Sequence, residues 1–153
     1  MEFEAVVGRS GRDRMTVPIP FDPGQVWGVK PRHHVAGTVS GIRVRAVIES
    51  LGDGFGFVLG PAWRRDCGIS VGDRVHVRLV PEGPQRADLP ADFAEALDAD
   101  PGAGQFFDGL AQFYRKGYLR WIESTKRNPQ QRAERISTVV QLLADGRKSR
   151  PGS

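Results

Sequence analysis

The chain has one cysteine, three histidines and two tyrosines in 153 residues. A lone cysteine, Cys67, excludes an intramolecular disulfide and fits a reducing compartment. No apolar run approaches the ~20 residues that a membrane-crossing helix needs. The start, Met1-Glu2-Phe3-Glu4, is acidic and alternating, unlike the basic, then apolar, opening of a secretory leader. The expected setting is therefore cytoplasmic, away from membranes. Gly-x-Ser-x-Gly, His-Glu-x-x-His and Cys-x-x-Cys are all missing, as are a paired-carboxylate motif and a cofactor fingerprint. The chain reads as a non-enzyme with no cofactor. His33 and His34 are adjacent on an expected strand, so they point to opposite faces, and His76 stands alone. No metal site is expected.

What is present is ordinary for a folded domain: 39% hydrophobic and 26% charged residues, with a net charge of +4. The charge is unevenly placed. Residues 87–111 carry six acidic side chains and no basic one, whereas residues 112–153 carry ten basic and three acidic. A basic surface is expected on the last helices, although such tracts are commonly just solvated faces.

Residues 3–7, 15–19, 33–39, 43–51, 55–59 and 74–80 are short, rich in Val, Ile and Phe, and separated by Gly and Pro. Val75-His76-Val77-Arg78-Leu79 alternates as a strand with one buried face does. An internal repeat runs at an offset of forty: Val17, Ile19, Gly28, Val29 and Val35 align with Phe57, Leu59, Gly68, Ile69 and Val75. The second copy is similar to the strand–turn pattern of AbrB-like barrels. The fold expected over residues 1–83 is thus a small six-stranded, AbrB-like (double-split) β-barrel with an internal pseudo-repeat, complete in one chain and monomeric.

Residues 84–89 read as a linker. Beyond them the period changes from two to about 3.6, and residues 90–146 are expected to form three to four helices, giving an α+β protein. Asp100-Pro101 and Asn128-Pro129 are helix starts, each with a capping side chain and a proline that loses no needed donor. Phe106, Leu110 and Phe113 are expected on one buried face, with a break or kink at Gly117. Ile136, Val139, Val140 and Leu143 form the apolar face of the last helix, and Gly146 ends it. Residues 147–153 are expected to be a disordered basic tail.

These pieces resemble the YdeI/OmpD-associated, bacteriocin-protection-like family together with the small β-barrel domain of unknown function that commonly precedes it. In the barrel the resemblance rests on Val17-Pro18-Ile19-Pro20, Val35-Ala36-Gly37-Thr38-Val39-Ser40-Gly41 and Val71-Gly72-Asp73-Arg74-Val75. In the helices it rests on Tyr118-Leu119-Arg120-Trp121-Ile122, Lys126-Arg127, Arg132 and Arg135-Ile136. The chain departs from the family pattern in having Thr125 before the lysine and Gln130-Gln131 before Arg132. The resemblance implies a role in protection against bacteriocins or stress. It carries no catalytic set.

The leading candidate site is Tyr118, Trp121, Lys126, Arg132 and Arg135. Tyr118 and Trp121 are three apart on one helix, and Arg132 and Arg135 are three apart on the next. Two such helices packed antiparallel bring rings beside guanidinium forks, a pocket suited to an anion with an apolar body. The competing reading makes Trp121 core and lets the arginines pair with Glu123 and Glu134 or cap helix ends. Gly52-Asp53-Gly54-Phe55-Gly56 reads as a hairpin turn rather than a phosphate loop. Cys67, although it follows Arg64 and Arg65, reads as a packing residue. The function expected is sequestration or sensing of a small molecule or peptide, in a pocket between barrel and helices. A nucleic-acid-binding, AbrB-like regulator is the second reading, and an enzyme with an unrecognised site the third.

Overall fold

A computed structural model describes residues 1–12, 14–61, 67–125 and 127–151. The chain forms two compact units, residues 1–29 with 33–81, and residues 30–32 with 82–153. Among the described residues the architecture is α+β, with eight strands followed by four α-helices of eight or more residues.

In the first unit, β1 (Glu2–Val6), β8 (Arg74–Pro81), β4 (His34–Val39) and β5 (Ile42–Val47) pair in that order as one antiparallel sheet. A second antiparallel sheet has the order β2 (Gly8–Ser10), β3 (Arg14–Ile19), β7 (Phe55–Leu59) and β6 (Glu49–Ser50). Among the described residues, no ladder closes either sheet into the six-stranded AbrB-like barrel expected from the sequence. The difference arises at two single residues. Val7 separates β1 from β2 and Ile48 separates β5 from β6, so each outer strand of one sheet continues as an outer strand of the other. At both breaks the backbone bonds sideways: the Val7 amide donates to the Asp73 carbonyl, and the Ile48 amide to that of His33. Strands that change sheets at a bend are the usual corners between two packed sheets.

Alternation along β8 works as its sequence dictates. Val75, Val77 and Leu79 are buried while Arg74, His76, Arg78 and Val80 face outward. The interior is completed by Val7, Val17, Val35, Val39, Phe57 and Leu59, all fully or nearly fully buried. Ser40 and Gly41 take positive φ and join β4 to β5 in a two-residue hairpin. Gly37 is needed where it stands, because a Cβ there would run into the backbone carbonyl of Arg78 on β8. The forty-residue offset reappears in the ladders: Val17 stands opposite Phe57, and Thr38 opposite Arg78. Copies of one strand meet this way when a local two-fold axis passes between them. The one-turn helix α1 (Pro23–Trp27) is capped by Asp22, which accepts from the Gly24 amide at 2.8 Å.

The second unit holds α2 (Ala91–Asp98), α3 (Pro101–Asp108), α4 (Gln112–Glu123) and α5 (Pro129–Ala144). Asp100 and Asn128 cap α3 and α5 through the amides of Ala103 and Gln131, at 3.1 and 3.0 Å. Phe93, Leu97, Phe107, Ile122, Val139 and Leu143 form the core, with Phe93 and Phe107 edge to face at 5.7 Å. Two expectations fail here. The break falls at residues 109–111, where Ala111 is extended, and α4 runs unbroken through Gly117. Phe107 and Leu110 are core and Phe106 packs partly buried against them, but the break resets the helical phase beyond it and leaves Phe113 76% exposed.

Residues 84–89, read as a linker, contain a 3₁₀ turn (Arg86–Asp88) held by ion pairs from Arg86 to Asp98 and Asp108. Arg115 on α4 is buried and ties this segment to the helix break. Its guanidinium donates to the carbonyls of Glu82, Pro84, Asp108 and Leu110, at 2.7–3.2 Å, and lies over the Phe107 ring.

Candidate functional site

One face of α4 carries Tyr114, Gly117, Tyr118 and Trp121, spaced i, i+3, i+4 and i+7, so they form one stripe. Beside that stripe lies a hollow of about 490 Å³, built wholly from residues of the second unit. Its α4 wall also includes Phe113, Arg120 and Ser124, and its other wall is Lys148, Ser149 and Arg150. The described part of the segment after α5, residues 147–151, supplies this second wall. Gly146 takes positive φ and ends α5, with the Arg147 amide returning to the Leu142 carbonyl. Buried Tyr118 donates its hydroxyl to the Arg147 carbonyl at 2.6 Å. Burial pushes that phenol's pKa up, so it stays a neutral donor at neutral pH. Lys148 then lies 5.7 Å from the Tyr114 ring centre.

Trp121 is partly exposed, and two guanidiniums lie over its indole, Arg135 at 4.7 Å and Arg150 at 4.4 Å. Arg150 lines the hollow, whereas Arg135 is directed to the end of α4, donating to the Trp121 carbonyl at 2.8 Å and the Ser124 hydroxyl at 2.7 Å. A cation there offsets the partial negative charge of the helix C-terminus.

Of the five residues singled out from sequence, Tyr118, Trp121 and Arg135 are brought together, and Lys126 lies outside the described residues. Arg132 goes elsewhere. It grips Asp92 on α2 through two hydrogen bonds, 2.6 and 2.9 Å, and reaches Glu123 at 3.4 Å. The Arg132 hydrogen bonds hold the Asp92 carboxyl below the usual carboxylate range, and the guanidinium is correspondingly raised. A depressed carboxylate contributes stability above its unfolded pKa, near 4, and loses it as pH falls through the folded value. Asp92 is half exposed, so after solvent screening the Asp92→Asn variant is expected to cost only on the order of 0.5 kcal/mol at pH 7. Urea titrations of the two proteins should converge as pH falls through the lowered folded-state pKa of Asp92, below which neither protein carries the charge.

Phe113, Tyr114, Arg120, Lys148 and Arg150 were missed in the sequence. Tyr114 had a signal, its helical spacing to Tyr118 and Trp121. Lys148 and Arg150 had none, since a short basic tail gives no sign of what it packs on. Thr125, the departure from the family pattern, is buried and donates to the Ile122 carbonyl at 2.6 Å.

The other features keep structural roles. Gly52, with positive φ, turns the chain between β6 and β7, closed by the Leu51 amide on the Gly54 carbonyl. The half-buried Cys67 sulfur accepts from the Ile69 amide, while Arg64 and Arg65 lie outside the described residues. Among the described residues, no three His, Cys, Asp or Glu side chains gather as a metal ion would require. None of the described helices is long and apolar enough to cross a membrane.

Comparison with known proteins gives two family matches and no curated relative. Residues 3–79 match the model described as a domain of unknown function, DUF1905. Residues 86–146 match OmdA, described as bacteriocin-protection, YdeI or OmpD-associated. No curated protein matches the chain.

Proposed function

We propose, for a chain that belongs to the DUF1905 family and continues into a YdeI/OmpD-associated segment, a non-enzymatic binding role: sequestering or sensing a small molecule or peptide. The observation that carries this reading is the hollow on α4, with the indole of Trp121 and the rings of Tyr114 and Phe113 at one open cavity of about 490 Å³. A concave site with an aromatic floor and a few polar groups at its rim is the usual form of a ligand site. Phe113, 76% exposed, adds an apolar side chain to the lining of that cavity. In this reading the protein acts as a cytoplasmic monomer. The protection named in the description of the matched segment would follow from capture of a harmful compound, a stress-resistance role.

Thermal-shift screening of the full chain against peptide antibiotics and amphipathic small molecules tests the reading. A ligand at a hundred times its Kd should stabilise the protein by about 2.7 kcal/mol. Trp121→Ala should abolish that shift. Absence of stabilisation by every compound at high concentration would count against binding. The second reading, a nucleic-acid-binding regulator, draws on the same rim of cations and predicts affinity that falls steeply with salt.

A further inference from the structure

We infer that the hollow on α4 selects a ligand with an anionic head on an apolar body, and that the segment after α5 supplies the selectivity through Lys148 and Arg150. This rests on the binding role proposed above and adds the ligand's charge class. Three of the lining side chains, Arg120, Lys148 and Arg150, are cationic and none is acidic. The carbonyl end of α4, a source of negative potential beside the hollow, is met by Arg135 on the Trp121 carbonyl and the Ser124 hydroxyl. A carboxylate or phosphate entering the hollow therefore meets donors of a single sign, and guanidinium is the side chain best matched to those groups.

The aromatic residues divide the work. Trp121 lies under both Arg135 and Arg150, so its face holds cations in place and is not a free platform for a ligand ring. It is a positioning residue for Arg150. Phe113 and Tyr114, edge to face at 5.3 Å, and Gly117 offer the apolar floor. Tyr118 anchors the other wall from below through the Arg147 carbonyl. The cationic wall thus exists only because the terminal segment returns along α4. The shared chemistry fits a free organic acid or the phosphate of a nucleotide chain. The compact, apolar floor favours the small acid, since bases along a strand would need a longer row of open rings.

Calorimetric titration of the full chain with three probes of one ring system tests this: 1-naphthoate, 1-naphthalenemethanol and 1-naphthylmethylamine. Naphthoate is expected to bind at least tenfold more tightly than the alcohol, and the amine not at all. Lys148→Gln combined with Arg150→Gln should weaken naphthoate at least fivefold and leave the alcohol unchanged, with circular dichroism reporting an intact fold. Equal binding of acid and alcohol would overturn the charge assignment while leaving a binding protein. Binding of none of the three would remove both readings. Undiminished preference for the acid in the double variant would overturn the role of the terminal segment. Displacement of naphthoate by an octathymidylate that binds more tightly, with a steep salt dependence, would overturn the small-acid assignment in favour of nucleic acid.

Discussion

Arg115→Ala is expected to destabilise the helical unit by about 3–5 kcal/mol, the usual cost of breaking up a buried, hydrogen-bonded charge site. The guanidinium is almost wholly buried, and its partners are backbone carbonyls rather than a carboxylate. Each carbonyl left unpaired in the interior costs about 1–3 kcal/mol unless water reaches it. Together with the Arg86–Asp108 ion pair, this side chain holds the segment around Glu82 and Pro84 to the turn between α3 and α4, so both should loosen when it is removed. Burial lowers the Arg115 pKa, with the charges of Asp108 and Glu82 opposing that shift. Arg115→Lys keeps a cation but loses the planar fork, and should recover only a minor part. Urea denaturation followed at 222 nm checks this. With a slope of about 1–3 kcal/mol/M, the midpoint should fall by more than 1 M. A loss below 1 kcal/mol would show that water takes over the carbonyls and that the site is not a structural hub.

Phe57→Ala should be comparably severe in the first unit, at about 3–5 kcal/mol. Phe57 is fully buried on β7, directly opposite the equally buried Val17 on β3. Removing the ring leaves a cavity between the two sheets that a laddered backbone relaxes into poorly. Phe57→Leu, closer in volume, should cost less than about 1.5 kcal/mol. Hydrogen exchange is the informative measurement. Protection should fall across β3 and β7 in the alanine variant and stay near that of the parent in the leucine variant. Equal losses in the two would mean that the cavity is not what the alanine variant suffers from.

Much of the fold was legible because its signals are local. Alternation in β8 follows from Val75, Val77 and Leu79, and the caps at Asp100 and Asn128 need only a side chain and the amides three residues on. Val17 and Phe57, and Val35 and Val75, which the forty-residue offset aligned, are all buried. The two sheet corners were not legible, since a single bonded-sideways residue such as Val7 or Ile48 is no different in composition from its strand neighbours. The misplaced helix break has a similar origin. Gly109 and Gly117 are equal breakers by propensity, and tertiary bonds from Arg115 to the Asp108 and Leu110 carbonyls hold the break at residues 109–111.

The candidate site divides along the same line. Sequence spacing alone set Tyr118 and Trp121 on one helical face, because a helix has a fixed period. It also placed Arg135 on the following helix, within reach of that face. Only tertiary structure sent Arg132 to Asp92, forty residues away, and laid Lys148 and Arg150 against the rings of α4. A long, flexible cation has many carboxylates and rings within reach of its sequence position, and which it meets depends on how distant elements pack. Periodicity decided the faces of this protein, and packing decided which charges stand over them.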